Sequence, residues 1–199
     1  MKKIIIGITG GIAAGKTTVA DMFLRKGAEL IDADMISHEL LKEDSGIKEE
    51  IVKRFGEDVL KDGEIDRRSL GKKVFLNKSK LDELSRIIHP AIINSIKRKA
   101  EEETKAEVVI IDAPLLIEAG MHDYVDIVVV VTAKKETQIK RAVEKGVSEE
   151  EARSIIDKQL PLSEKKRVAD YIIDNESDLD IVKKGVEEIW QRAQKMKKN

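Results

Sequence analysis

The sequence predicts an α/β fold with a five-stranded parallel sheet in a three-layer core. Five short apolar segments rich in Val and Ile are separated, in most cases, by helical patterns, which is typical of βαβ units. Two of them, Val108–Ile111 and Ile127–Thr132, are nearly continuous apolar runs, as expected for strands buried on both faces of a parallel sheet. The other three predicted strands are Lys3–Ile8, Glu29–Ile31 and Tyr171–Ile173.

The bulk composition narrows the range of functions. The chain has 199 residues and a net charge of −1, so its overall charge does not favour nucleic acid or an anionic membrane as a partner. The sequence contains no cysteine, which excludes disulfides, thiolate metal sites and a cysteine nucleophile and fits a reducing compartment. No apolar run approaches the ~20 residues that span a bilayer. We therefore expect a soluble, cytoplasmic protein without nucleic-acid or membrane partners.

The strands are unevenly spaced, because residues 33–106 contain no strand pattern. Amphipathic periodicity in this stretch predicts a helical insertion in the α/β core, which is a natural place for an acceptor substrate. The predicted helices are Met35–Leu41, Ser45–Phe55, Arg68–Leu76, Lys80–Ile88 and Ala91–Glu103. Between them, Lys61–Glu64 (KDGE) is predicted to form a turn, and His89-Pro90 a break or kink.

A glycine-rich segment follows the first predicted strand and opens a helix. Residues 10–17 (GGIAAGKT) match G-x-x-x-x-G-K-[ST], the pattern of the P-loop. The glycines allow successive N–H groups to turn towards phosphate oxygens at the positive end of a helix. Lys16 is expected to reach the β- and γ-phosphates, and Thr17 to ligate Mg²⁺. The predicted ATP-binding residues of this segment are Gly10, Gly11, Ile12, Ala13, Ala14, Gly15, Lys16, Thr17 and Thr18.

Two aspartates, Asp32 and Asp34, follow the second predicted strand in the segment LIDADMI. Because ligands of open α/β sheets bind beyond the carboxyl ends of the strands, both are expected on the same edge as the P-loop. A carboxylate there can accept the proton of an attacking hydroxyl. Alternatively, Asp34 simply caps the helix predicted from Met35, and the two roles are compatible.

With these features together, the chain resembles the dephospho-coenzyme A kinase family over almost its full length. Several separate segments in the same order are far more specific than a P-loop by itself. They are GITGGIAAGKTTVA (7–20), LIDAD (30–34), GEIDRRSLGKKVF (63–75), IIHPAI (87–92), IIDAPLLIEAG (110–120), ETQIKR (136–141) and VADYIIDN (168–175). The resemblance implies transfer of the γ-phosphate of ATP to the ribose 3′-hydroxyl of dephospho-CoA, the last step of CoA biosynthesis.

The resemblance also assigns roles to single residues on the nucleotide side. Asp34 matches the family's proposed general base and Lys16 its phosphate-binding lysine. Arg141 matches a lid arginine that closes over the transferring phosphate, where a guanidinium suits the charge spread over phosphate oxygens. Asn175 matches a contact to the adenine of ATP.

On the acceptor side, the resemblance points to His89, Pro90 and Leu115. His89-Pro90 matches a motif of the acceptor-binding helices, and Leu115 lies in a turn expected to border the pantetheine path. Dephospho-CoA also carries a pyrophosphate, whose binding requires cations, and Arg67 and Arg86 are candidates for that role.

Thr17 and Asp112 are the candidate ligands of the Mg²⁺ that accompanies ATP. Asp112 follows four apolar residues, as a Walker-B aspartate does, and would hold the ion through water. Alternatively, Asp112 does not hold Mg²⁺ and only orients the turn at residues 114–116. Glu118 lies in the same motif without an assigned role, whereas His38 and His122 lack the spacing of metal ligands.

The sequence predicts three functional parts. They are a nucleotide-binding core of residues 1–34, 105–135 and 165–199, a helical acceptor (CoA) domain of residues 35–104, and a lid of residues 136–164 that excludes water when it closes. One alternative is another kinase of this fold that acts on a nucleoside monophosphate or a sugar acid. A second is a nucleotide-dependent switch protein such as a GTPase, although residues 77–80 (NKSK) lack the Asp of the guanine-binding pattern N-K-x-D.

Overall fold

The computed structural model describes residues 3–75, 77–176 and 178–197, which divide between two compact units. Unit 1 comprises Met1–Ile31 and Ala100–Asn199, and unit 2 comprises Asp32–Lys99. The first half of the chain forms β1 (Ile4–Gly10), α1 (Lys16–Leu24), β2 (Glu29–Asp32), α2 (Ala33–Glu43), α3 (Ser45–Phe55), β3 (Leu60–Lys61), β4 (Glu64–Ile65), α4 (Arg67–Phe75) and α5 (Lys78–Arg98). The second half forms β5 (Val108–Asp112), β6 (Ile127–Thr132), α6 (Lys135–Glu144), α7 (Glu149–Lys158), α8 (Leu162–Val168), β7 (Tyr171–Asp174) and α9 (Leu179–Met196).

The five predicted strands form one sheet in the order β2-β5-β1-β6-β7, which confirms the α/β prediction. β1 pairs in parallel with β5 and β6, so that Ile6 is aligned with Ile110 on one side and Ile127 on the other. Every residue of β1 and β6 is buried, as their apolar sequences predict. β1 extends beyond its predicted end to Gly10, so it leads directly into the P-loop.

The core of unit 1 lies between the sheet and the helices α1 and α9. Alternate residues of β1, Ile4, Ile6 and Ile8, are fully buried in a cluster that includes Phe23 of α1 and Ile189 of α9. Burial of each such side chain contributes about 1.5–3 kcal/mol. The cluster therefore provides a rigid base for the loops at the carboxyl ends of the strands.

Unit 2 is the predicted helical insertion and has a hydrophobic core of its own. On α3, Ile47, Ile51 and Phe55 recur every four residues and lie on one face of the helix. They belong to the same buried cluster as Leu70 and Val74 of α4. The insertion therefore folds around apolar contacts within itself.

Of the break or kink predicted at His89-Pro90, the break is wrong, because α5 runs without interruption from Lys78 to Arg98 with Pro90 inside it, and the kink stays a prediction. Pro90 has no N–H to donate to the carbonyl of Arg86, and its ring crowds that turn. The helix tolerates this local penalty because it packs against α2, α3 and α4 along its length.

Smaller differences occur around α4. The predicted turn at Lys61–Glu64 is confirmed, and it joins β3 and β4 in a short hairpin that the sequence pattern did not reveal. The helix predicted over Arg68–Leu76 corresponds to α4, which begins one residue earlier at Arg67. Leu76 lies outside the described residues. In the part of the chain that the structure describes, no helix is both long and apolar enough to cross a membrane.

Candidate active site

The P-loop joins β1 to α1 in unit 1. Gly15 precedes α1 with a φ of 101°, a left-handed conformation that favours glycine, and a Cβ there would overlap the side chain of Asn175. The first turn of α1 has neither a side-chain cap nor an acidic residue, so no carboxylate of the helix itself neutralises its positive dipole end. The ammonium group of Lys16 lies back over the loop, 3.5 Å from the carbonyl oxygen of Gly10. The loop is thus arranged to receive an anion.

Asn175 connects the P-loop to Arg141. Its side-chain Nδ2 donates a hydrogen bond to the carbonyl of Ala14 (2.9 Å), and its own carbonyl accepts one from Nη2 of Arg141 (3.2 Å). Nη1 of Arg141 is buried and has no hydrogen-bond partner among the described residues. A buried guanidinium N–H of this kind is suited to an anionic or polar atom of a ligand. The structure therefore brings these predicted residues together.

Two glutamines that the sequence analysis did not single out also contact the P-loop. Gln138 of α6 lies so close to Gly11 that a Cβ at Gly11 would overlap its Oε1. Gln159, which directly follows α7, accepts a hydrogen bond from the backbone N–H of Ile12 through Oε1 (3.3 Å). Glutamine near a helix end is common on protein surfaces, so these contacts have no local sequence signal.

Glu118 lies in the loop after β5 and forms contacts with the segment that follows α7. Its carboxylate lies 2.9 Å from Nζ of Lys165, a side chain that is only 2% exposed. Nζ of Lys165 also donates to the carbonyl of Pro114 (3.0 Å), and the N–H of Leu160 donates to Glu118 (3.1 Å). In the same loop, Leu115 is 43% exposed, which suits an apolar contact with a ligand.

Thr17 and Asp112 have the chemistry that Mg²⁺ requires. Thr17 is exposed in the first turn of α1. Asp112 is the last residue of β5 and is aligned with Ile8 of β1, which lies two residues before the P-loop. Both supply oxygen, the ligand atom that Mg²⁺ prefers. Within residues 3–75, 77–176 and 178–197 no group of three or more His, Cys, Asp or Glu could hold a metal ion. An ion here would therefore depend on phosphate oxygens and water, as Mg²⁺ bound with a nucleotide does.

In unit 2, Asp32 rather than Asp34 caps α2. Its Oδ1 accepts hydrogen bonds from the backbone N–H groups of Asp34 (2.8 Å) and Met35 (3.1 Å). The helix begins at Ala33, which places Asp34 in the first turn with an exposed side chain. The alternative in which Asp34 only caps the helix is therefore wrong.

Four of the acceptor-side candidates lie on two helices of unit 2, Arg67 on α4 and Arg86, His89 and Pro90 on α5. Nη1 of Arg67 in α4 lies 3.1 Å from Nδ1 of His38 in α2, and because arginine only donates, this His38 nitrogen accepts. His89 is half-buried in α5, and this burial lowers the pKa of its imidazole. Pro90 is exposed, and Arg86 lines a groove of about 570 Å³ between α3 and α5. Arg67 and Arg86 thus have different neighbours.

Comparisons with known proteins place the chain in a family. Residues 4–180 match the family model for dephospho-CoA kinase. The chain is 40% identical over 192 residues to the dephospho-CoA kinase of Corynebacterium diphtheriae, covering 94% of this chain and 96% of that protein. A dephospho-CoA kinase structure from Campylobacter jejuni is 30% identical with a TM-score of 0.68, covering 97% of this chain and 98% of that one. The structure of TT1252 from Thermus thermophilus is 28% identical with a TM-score of 0.82, covering 96% and 98%. The chain therefore belongs to the dephospho-CoA kinase family of ATP-dependent kinases.

Proposed function

We propose that this chain carries out the reaction of its family with the residues described above. ATP binds in unit 1, its γ-phosphate passes to the ribose 3′-hydroxyl of dephospho-CoA, and the products are CoA and ADP. The observation that carries the proposal is the P-loop at the uncapped start of α1, which Asn175 links to Arg141. Similarity to dephospho-CoA kinases over nearly the whole chain favours this acceptor over a nucleoside monophosphate or a sugar acid, and favours an enzyme over a switch protein.

The P-loop residues hold the phosphates through backbone N–H groups, and Lys16 supplies a positive charge beside them. Thr17, and Asp112 through water, would hold the Mg²⁺ that accompanies ATP. When bound, this ion neutralises charge on the β- and γ-phosphate oxygens. Arg141 acts at the transferring phosphate, and Asn175 contributes to adenine binding. The buried Nη1 of Arg141 supports its role, because a phosphate oxygen would supply the partner that the described residues do not.

Asp34 is the general base in this proposal. Its carboxylate takes the proton of the 3′-hydroxyl as that oxygen attacks the γ-phosphorus. Two observations support the assignment: Asp34 is exposed in the first turn of α2, and Asp32 has taken over the capping function. Asp34 also follows β2 while the P-loop follows β1 of the same sheet, and ligands of such sheets bind at the carboxyl ends of the strands.

Unit 2 supplies the acceptor site, with Arg67 and Arg86 as the cations for the pyrophosphate. His89 contacts the acceptor as a neutral imidazole, because burial lowers its pKa, and Pro90 lies beside it. Leu115 provides apolar surface for the pantetheine chain. The division into core, acceptor domain and lid belongs to the same proposal. The lid, residues 136–164, closes to exclude water from the transferring phosphate.

The test is ADP release from ATP and Mg²⁺ with dephospho-CoA, adenosine monophosphate or gluconate as acceptor. We expect stimulation by dephospho-CoA only. Asp34→Asn should lower kcat about 100-fold or more while ATP still binds. Asp32→Asn is the matched control, because asparagine caps a helix as well as aspartate does, and it should retain most of the activity. Absence of stimulation by dephospho-CoA would contradict the proposed acceptor, and an active Asp34→Asn variant would contradict the proposed base.

A further inference from the structure

The contact between Gln159 and the P-loop places a carboxamide at a backbone donor of the phosphate site. Oε1 of Gln159 accepts the N–H of Ile12, one of the successive residues that form the loop. A carboxamide has an oxygen that accepts hydrogen bonds and a nitrogen that donates them. The N–H groups of the empty loop need an acceptor, whereas a bound phosphate needs donors. The same side chain can therefore serve the loop in both states.

The backbone on either side of this residue is held in place. Gln159 is the C-cap residue that directly follows α7, and the next N–H, that of Leu160, donates to Glu118. Glu118 is paired with the buried Lys165, which also donates to the carbonyl of Pro114. The hydroxyl of Thr9, close to the start of the P-loop, donates to that same carbonyl (3.0 Å). Because the backbone makes these contacts in the present state, the carboxamide of Gln159 can exchange its partners without any movement of the lid, to which Gln159 belongs.

Space for that movement lies directly beside the side chain. A cavity of about 130 Å³ is lined by Gln159 together with Gly11, Gln138 and Lys165. The terminal torsion of a glutamine is soft and roughly two-fold, so exchange of oxygen and nitrogen requires little energy. A charged phosphate oxygen is also a stronger acceptor for the Ile12 N–H than a neutral amide oxygen.

We infer that Gln159 exchanges its role when ATP binds. In the empty loop its Oε1 accepts the Ile12 N–H, and in the ATP complex a phosphate oxygen takes this donor while Nε2 of Gln159 donates to the phosphate. Gln159 is then a phosphate-contacting residue that couples the end of α7 to the occupancy of the P-loop. The inference rests on the proposed binding of ATP in the P-loop and is independent of the acceptor.

The empty loop requires a hydrogen-bond acceptor at residue 159, whereas the ATP complex requires a donor. Two variants distinguish these two requirements. Gln159→Glu keeps an acceptor for Ile12 but has no donor and adds negative charge, whereas Gln159→Met removes both functions at similar size. Gln194→Glu is the matched control, since Gln194 of α9 accepts from Lys197 and the substitution preserves that acceptor. The measurement is the Kd of ATP with Mg²⁺ in the absence of dephospho-CoA, with adenosine as the ligand that lacks phosphate.

We expect ATP affinity to fall at least about tenfold in Gln159→Glu, and less in Gln159→Met, with adenosine binding unchanged in both and Gln194→Glu equal to wild type. A role confined to the empty loop predicts instead that Gln159→Glu matches wild type and that Gln159→Met, which lacks the competing acceptor, binds ATP more tightly than wild type. Either result would overturn the inference. If Gln159→Glu does not fold, weaker ATP binding by Gln159→Met supports it. Failure of ATP to bind the wild-type protein would instead refute the proposed function.

Discussion

The buried Lys165 shows how a single residue depends on its partners. A charged ammonium group that is 2% exposed is stable in the folded protein only because Glu118 and the carbonyl of Pro114 surround it. Glu118→Ala should therefore lower the free energy of unfolding by about 3–5 kcal/mol, since it leaves a buried charge without its counter-ion. Urea denaturation measures this change.

The control for Glu118 is Glu149, which forms an exposed i,i+4 pair with Arg153. Pairs in solvent contribute little, so Glu149→Ala should change stability by less than about 1 kcal/mol. Equal effects of the two substitutions would show that Lys165 finds another partner once Glu118 is removed.

His89 gives unit 2 a dependence on pH. Burial lowers the folded-state pKa of His89 below its ordinary value of 6.5, so between these two values the unfolded state binds the additional proton. The stabilising contribution is present above about pH 6.5 and is lost as the pH falls through the folded-state pKa. The free energy of unfolding should therefore decrease on acidification, and the decrease should be smaller in His89→Gln. An identical pH profile in the variant would rule this out.

At the scale of residues, the sequence predicted local backbone features better than contacts between distant segments. The turn from β1 into α1 was predictable because its glycines determine local backbone geometry. Which aspartate caps α2 was not predictable, because the answer depends on a small shift in where the helix begins. Gln159 and Lys165 gave no signal, since their contacts join segments that are distant in the sequence.

Among the elements, α5 is the case in which tertiary packing overrides a local signal. Pro90 removes one helical hydrogen bond, yet the helix continues because unit 2 packs around it. Pro90→Ala should restore the hydrogen bond to Arg86 and raise the free energy of unfolding by about 1–2 kcal/mol, the relieved strain exceeding the loss of proline rigidity in the unfolded chain. Thermal denaturation measures the change.

Pro161 is the matched control for Pro90. It precedes α8 with a φ of −51°, outside any helix interior, so Pro161→Ala relieves no strain and should leave stability unchanged or slightly lower. A lower free energy of unfolding in Pro90→Ala would contradict this expectation and would indicate that the packing of α5 is adapted to proline at position 90. The Km for dephospho-CoA in the same variant tests the proposed position of Pro90 in the acceptor site.

The strands were predicted more accurately than the helices for a physical reason. Strands buried on both faces must be apolar at every position, and this leaves a clear record in β5 and β6. The hairpin of β3 and β4 is too short to show any periodicity. Helix ends in unit 2 depend on packing among neighbours, so local residues such as Pro90 are poor guides to them.

At the scale of the whole molecule, the two units carry separate hydrophobic cores, with Phe23 in that of unit 1 and Phe55 in that of unit 2. A ligand stabilises the state that it binds by RT ln(1 + [L]/Kd), about 2.7 kcal/mol at 100-fold excess over Kd. Since proteins open in cooperative parts, each substrate should protect mainly the unit that binds it. Hydrogen exchange should then slow in the P-loop and α1 with ATP, and in α2, α4 and α5 with dephospho-CoA.

The Lys16→Met variant separates the protection from hydrogen exchange given by ATP from that given by dephospho-CoA. The variant lacks the ammonium group at the P-loop, so the protection that ATP gives to unit 1 should fall sharply. The protection that dephospho-CoA gives to unit 2 should stay as in wild type, because the cations proposed for its pyrophosphate, Arg67 and Arg86, are unchanged. Protection by dephospho-CoA that is confined to unit 1 would instead place the acceptor outside the helical insertion, and the assignments of Arg67, Arg86 and His89 would fall with it.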